Sequence, residues 1–183
     1  HDMRHHLSIL NSFVKRKDWA DLENYLSKMS KSIPSSELKL CENNAIDGVA
    51  GHYYHRYKDL EIPCVFKLEL PKELSVSEID ICLVLSNLLE NALEASMRTA
   101  PDKRRITVFA RMHSDNVVLI KVENFYNGVV KEKNGIFESS KHSGEGIGTQ
   151  SVRRIAEKGG GYCRFTQKDG IFTADVMLRG NSK

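Results

Sequence analysis

Two asparagines four residues apart, Asn87 and Asn91, lie in the run Ser86-Asn87-Leu88-Leu89-Glu90-Asn91-Ala92-Leu93-Glu94-Ala95. At helical spacing Asn87, Asn91 and Glu94 project from one face, while Leu85, Leu88, Leu89 and Ala92 make the other face apolar. Asparagine is a mediocre helix former, and a buried amide needs hydrogen-bond partners, so a pair of them on such a helix points to a use for the amides. Asn87 taken singly also fits an ordinary solvent-facing stripe. Amide oxygens are hard donors, suited to Mg²⁺, an ion held jointly with nucleotide phosphates.

A second group is Gly144-Glu145-Gly146-Ile147-Gly148-Thr149, just ahead of a helix carrying Val152, Ile155 and Ala156. Glycines let backbone N–H groups approach an anion, and a helix start directs its dipole at it. A plain flexible turn has the same composition. The cluster is no dinucleotide fingerprint, because a long loop rather than a strand precedes it, and no Lys-Ser/Thr follows to make a Walker loop. A third group, Val122-Glu123-Asn124-Phe125, ends a strand, where the Asn124 amide could meet an adenine edge or simply finish the strand.

The elements that must position these groups follow from periodicity. Met3, Leu7, Leu10 and Phe13/Val14 form a helical stripe, and Asp18 caps a second helix with Trp19, Leu22, Tyr25/Leu26 and Met29 on one face. Two such short helices must pair with each other or with a second copy. Ile33-Pro34-Ser35-Ser36 breaks the pattern and divides a helical hairpin, 1–34, from a larger domain, 35–183. A helix from Ile46 to Leu60 comes next, then a strand over Ile62–Leu70 and a strongly apolar helix capped by Ser77. Strands over Arg105–Met112 and Asn116–Glu123 precede a polar loop, Phe125–Glu145. A helix, Ile147–Lys158, and strands Gly161–Gln167 and Ile171–Leu178 complete the order. This is an α/β two-layer sandwich, a mixed and largely antiparallel sheet covered on one face by helices, preceded by an α-helical hairpin. A connection as long as Phe125–Glu145 in a compact domain is usually a functional lid or disordered.

Composition narrows the classes. Forty per cent hydrophobic and 28% charged residues are ordinary for a globular protein, and a net charge of +3 without a run of like charges gives no argument for nucleic acid. Cys41, Cys64, Cys82 and Cys163 contain no C-x-x-C pair and read as reduced thiols. No apolar run approaches the ~20 residues that span a bilayer. The opening His1-Asp2-Met3-Arg4 reads as the start of a piece cut from a longer protein.

The order N-x-x-x-N-A on a helix, a strand ending in a polar residue, a variable lid, then G-x-G-I-G opening a helix resembles the GHKL (Bergerat-fold) ATPases over residues 38–179. That superfamily includes sensor histidine kinases, gyrase-type topoisomerases, mismatch-repair ATPases and a heat-shock chaperone. The resemblance implies ATP and Mg²⁺ as ligands, with Asn91 the Mg²⁺ ligand and Asn87 supporting metal or phosphate. It implies that Asn124 reads adenine, that Gly144, Gly146, Ile147 and Gly148 wrap the phosphates, and that Thr149 closes the pocket floor. Lys141, Lys133 or Lys131 on the lid would meet phosphate. Two positions depart from the common pattern: Asn124-Phe125-Tyr126-Asn127-Gly128 replaces D-x-G-x-G, and Glu94 stands where many histidine kinases carry a basic residue. Both are similar to the subgroup that includes peptide-pheromone receptor kinases.

Hydrolytic members place a Glu at the first position of E-x-x-x-N to activate water; here that position is Asn87, with Glu90 the nearest replacement. Transfer to a side chain fits better, and His1-Asp2 resembles the phosphoacceptor box of the kinases. A neutral imidazole is a competent nucleophile near pH 7, and a neighbouring carboxylate can orient it. The fifth position of the box is His5. His1 and His5 are also spaced to hold a metal, and histidine-rich termini can be tag remnants, but Met3-Arg4 interrupts the histidines and the helical stripe runs through Met3 and Leu7. The resemblance therefore implies a cytoplasmic fragment of a membrane-anchored bacterial sensor kinase. It would be a homodimer through residues 1–34 and a missing upstream helix, autophosphorylated on His1 and passing phosphate to the receiver domain of a response regulator. The alternatives are a protein-serine kinase of the anti-sigma type, and a dimeric binding module that no longer takes nucleotide.

Overall fold

The computed structural model describes residues 2–29, 38–126, 132–133, 136–137 and 147–180. The chain divides into two compact units, His1–Glu37 and Leu38–Lys183. In the first, α1 (Asp2–Arg16) and α2 (Trp19–Met29) form the expected helical hairpin. Lys17 makes the corner in the left-handed region, φ 56°. Its N–H donates to Val14 O and that of Asp18 to Phe13 O, the paired bonds that satisfy the last carbonyls of a helix. The Asp18 carboxylate then accepts from the Asp21 N–H at 3.3 Å, capping α2. Phe13 and Tyr25 meet across the hairpin with ring centroids 5.8 Å apart, while Leu7, Val14, Trp19 and Leu26 remain exposed.

The second unit runs α3 (Asn44–Asp59), β1 (Cys64–Glu69), α4 (Glu78–Met97), a short 3₁₀ turn, β2 (Ile106–Ser114) and β3 (Val117–Phe125). After the two-residue strands β4 (Glu132–Lys133) and β5 (Ile136–Phe137) come α5 (Ile147–Lys158), β6 (Tyr162–Lys168) and β7 (Ile171–Arg179). Five strands form one sheet in the order β1-β2-β3-β7-β6. The β1–β2 pair is parallel, joined through α4 as a parallel pair requires, and the other three pairs are antiparallel. The mixed two-layer sandwich read from the sequence is the architecture observed. Within the segment expected to be a structureless loop, β4 and β5 pair as a small hairpin; strands of two residues are too short to carry a period.

Alternation sets the layers. Cys64, Phe66 and Leu68, then Ile106, Val108 and Ala110, then Val118, Ile120, Val122 and Asn124, face inward. Opposite them α4 presents Ile81, Val84, Leu85, Leu88, Leu89, Ala92 and Leu93, all buried. The outer face shows a row that crosses all five strands: Lys67, Phe109, Lys121, Asp175 and Arg164. Ser77 caps α4 by accepting from the Asp80 N–H, and Glu78 and Asp80 in its first turn suit the positive end of the helix dipole. The β6–β7 turn holds Asp169 at φ 53° and Gly170 at φ 76°, the two left-handed residues a tight hairpin needs. All four cysteines are free thiols; burial pushes each of them up from its ordinary pKa.

Two tyrosines of α3 enter the core against α4. Tyr57 donates to the Leu89 carbonyl at 2.7 Å and Tyr53 to Glu90 Oε2 at 3.0 Å. Burial first, then the Glu90 hydrogen bond and charge, pushes the Tyr53 hydroxyl up to about 12; burial raises Tyr57 too. In the unfolded chain both ionise near pH 10, so folding stability is intact below that pH and falls as pH rises from 10 towards 12. The slope is about 1.4 kcal/mol per pH unit for each tyrosine. Urea midpoints measured from pH 8 to 11.5 are expected to be flat and then decline. The Tyr53→Phe/Tyr57→Phe double variant is expected to begin lower at pH 8, by about 1 kcal/mol per lost hydrogen bond, and to lose most of the alkaline decline.

Candidate nucleotide site

α4 carries its apolar stripe into the sheet, which turns Asn87 and Asn91 to the side packed against α5. There the start of α5 comes close. A Cβ placed on Gly148 would stand 3.2 Å from Asn91 Nδ2, 3.3 Å from Asn91 Oδ1 and 3.4 Å from Asn87 Oδ1. The two amides thus converge on one backbone position, and the missing side chain of Gly148 gives them room. Asn87 is also oriented: its Nδ2 donates to the Leu83 carbonyl one turn earlier at 2.8 Å, which leaves Oδ1 as the atom facing Gly148. Both asparagines are half-buried. Hard oxygen donors beside the first turn of a helix, whose N–H groups lack intrahelical partners, suit a cation and an anion bound together. The residues present therefore fit a metal–phosphate group.

Asn124 lies at the end of the central strand β3, 4% exposed on the inward face, between Ile106 of β2 and Phe172 of β7. Its Nδ2 donates to the Phe125 carbonyl at 3.0 Å. The sequence reading passed over two residues here. Thr99 is buried just past α4, its hydroxyl donating to Ala95 O at 2.9 Å and lying 3.4 Å from Phe125 O, so the end of α4 is fastened to the end of β3. Ser96 is fully buried, and its Oγ has no hydrogen-bond partner among the described residues. A small hydroxyl every third residue after the apolar run, Ser96 and Thr99, was the available signal.

Ile147 and Thr149 belong to the first turn of α5, with Gly148 between them. Gly144, Gly146, Lys141, Lys131 and His1 lie outside the described residues. Lys133 falls in β4, and Asp2 is the first residue of α1. Glu90 does not serve as a replacement water-activating base. Its carboxylate accepts from Arg56 Nη1 at 2.7 Å and from the Tyr53 hydroxyl, on the side of α4 that faces α3. One residue from Asn91 is a 100° turn of the helix, enough to aim it at a different neighbour.

A family profile described as the GHKL domain matches residues 76–179, more than half of the chain and inclusive of α4, β3 and α5. The chain belongs to the GHKL family. Its relatives are sensor histidine kinases. It is 28% identical over 169 residues to the sensor histidine kinase HprS of Escherichia coli (strain K12), an alignment that covers 87% of this chain. The chain spans only 34% of the length of HprS. Among solved structures, the catalytic domain of histidine kinase ThkA superposes with a TM-score of 0.58 at 19% identity, covering 76% of this chain and 93% of that one. Acinetobacter baumannii histidine kinase AdeS superposes with a TM-score of 0.55 at 14% identity, covering 100% of this chain and 98% of that one. These superpositions establish a shared fold, that of histidine kinase catalytic domains. No described helix is long and apolar enough to cross a membrane.

The GHKL helix pair makes a direct test possible. In Gly148→Ala the new methyl meets three amide atoms at 3.2–3.4 Å and must push them aside. Alanine is also the better helix former by up to about 1 kcal/mol. Thermal stability is expected to hold or rise while affinity for Mg²⁺·ATP, measured by calorimetry, falls about tenfold.

Proposed function

We propose that this chain is the catalytic part of a two-component sensor histidine kinase, with residues 1–34 as dimerisation and phosphoacceptor hairpin and 35–183 as ATP-binding domain. The observation that carries the reading is the convergence of the Asn87 and Asn91 amides on Gly148, with Asn87 occupying the position where hydrolytic members keep a Glu. An amide cannot take a proton from water, so Asn87 cannot act as the base that hydrolytic members keep there, which favours transfer to a side chain over hydrolysis.

In this reading ATP is the substrate. Asn91, supported by Asn87, supplies the oxygen ligands for Mg²⁺, and the N–H groups at the start of α5, together with Gly144, Gly146 and Lys141, receive the phosphates. When bound, the ion neutralises triphosphate charge and holds its oxygens in a fixed orientation. Asn124 presents its amide to the adenine edge. An imidazole nitrogen of His1 attacks the terminal phosphorus in line; a P–N bond forms as the bridging P–O bond breaks, and ADP departs with that electron pair. Asp2, its neighbour in sequence, orients the ring and takes the proton that the attacking imidazole releases from its other nitrogen. The phosphohistidine then donates to an aspartate on the receiver domain of a response regulator docked on the hairpin.

Association of two copies through the hairpin is supported by the exposed Leu7, Val14, Trp19 and Leu26, apolar side chains that a lone helical pair leaves in water. The parent would be a bacterial membrane-anchored sensor with this part in the cytoplasm; what supports a sensor is the similarity to the sensor histidine kinase HprS, of which the chain spans about a third.

The test uses the parent chain, including the residues before His1, incubated with γ-labelled ATP and Mg²⁺. The expected product carries an acid-labile, alkali-stable label that drops at least about 100-fold in His1→Gln and in Asn91→Ala. Label that persists in His1→Gln, or that proves acid-stable and sits on serine, refutes the histidine-kinase reading.

A further inference from the structure

Three contacts from α3 meet α4 within a single turn, to one side of the asparagine face. Arg56 Nη1 lies 2.7 Å from Glu90 Oε2, the Tyr53 hydroxyl donates to the same oxygen at 3.0 Å, and the Tyr57 hydroxyl donates to the Leu89 carbonyl at 2.7 Å. The Arg56 guanidinium also stands 5.6 Å over the Tyr53 ring, so the cation and the hydroxyl that share Glu90 brace each other. From these contacts we propose that Arg56, Tyr53 and Tyr57 are positioning residues for the metal–phosphate site: they fix the roll of α4 about its own axis and with it the aim of Asn87 and Asn91 at Gly148.

Helical geometry supplies the argument. Leu89, Glu90 and Asn91 are spaced 100° apart, so a grip on the first two determines where the third points. A side-chain tip lies about 5–6 Å from the helix axis, and a roll of about 10° therefore carries it about 1 Å. The contacts of α4 with the sheet are leucine, isoleucine, valine and alanine, whose close packing limits a roll but sets its angle less sharply than directional bonds do. Hydrogen bonds are directional and resist it. The amides face the bare backbone of Gly148, 3.2–3.4 Å from where a Cβ would stand. The Arg56–Glu90 pair is about 40% exposed on both sides, a setting where an ion pair adds little to stability. Geometry is its stronger effect.

This inference rests on the reading of the site as one for Mg²⁺·ATP, and it makes a separable demand. Loss of the α3 grip should spoil the metal end, which depends on two amides of α4, and spare the adenine end at Asn124 on β3. The quantity to measure is the metal enhancement: the dissociation constant of ATP in EDTA divided by that in Mg²⁺, from calorimetry on the 183-residue chain, with melting temperatures alongside. Arg56→Met is expected to reduce the enhancement about tenfold while ATP binding in EDTA changes less than about twofold. Arg56→Lys is expected to recover part of it. Tyr53→Phe, which removes one hydroxyl and keeps the ring, is expected to give a smaller loss in the same direction and decides the matter if Arg56→Met does not fold. An unchanged enhancement in folded variants overturns the inference. So does a parallel loss of both dissociation constants with melting temperature, the signature of general destabilisation. Wild-type protein that binds no nucleotide overturns the functional reading and this inference with it, whereas wild-type binding with unaltered variants overturns the inference alone.

Discussion

Helices with ordinary side chains along their contact lie about 8–10 Å apart, and functional groups in such a contact are normally squeezed out by packing. Where α5 meets α4 a glycine relieves that constraint. With no side chain on Gly148, two polar amides occupy space a methyl group would claim, and they do so in a helix–helix contact rather than on a loop. The site takes its rigidity from that placement, since each amide is carried by a twenty-residue helix anchored along its length to the sheet. The geometry also explains why the chemistry is distributed. The amide oxygens come from one helix and the backbone facing them from the start of another, and Thr99, just past α4, lies 3.4 Å from the carbonyl of Phe125, the residue after Asn124.

Two kinds of force divide the work around α4. Burial of its apolar stripe holds the helix against the sheet and accounts for most of its attachment, yet it sets the rotation of the helix less sharply than directional bonds do. Polar contacts from α3 are fewer and individually modest, and they are angular. A protein that must hold a divalent ion needs both, because coordination distances tolerate only small errors while hydrophobic surfaces tolerate larger ones. The two tyrosines that supply part of this angular restraint are also the groups that make the fold sensitive to alkali.

Most of the architecture was legible in the residues because its elements are long and strongly periodic. The apolar stripe of α4, the inward alternation of β2 and β3, and the Asp169-Gly170 turn each announce themselves within a few residues. The β4–β5 pair could not be read, since two residues per strand carry no period. The parallel pairing of β1 with β2 is a matter of long-range register, invisible to local pattern. At the site, spacing marked the asparagine pair and the glycine cluster as candidates, and the GHKL resemblance is what joined them; the structure places Gly148 beside both amides. Ser96 and Thr99 were missed because single hydroxyl residues at a helix end are common, and Glu90 was misjudged because sequence adjacency to Asn91 says nothing of the quarter-turn between them.

The row Lys67, Phe109, Lys121, Asp175 and Arg164 across the uncovered side of the sheet has a bearing on how such domains are kept. Its terminal members stand on β1 and β6, the two border strands, whose free backbone groups are templates for illicit strand addition. A long cation at each border must be stripped of water before a neighbouring sheet can dock edge to edge. Molecules crowded side by side are thus discouraged from fusing their separate ribbons into a continuous one.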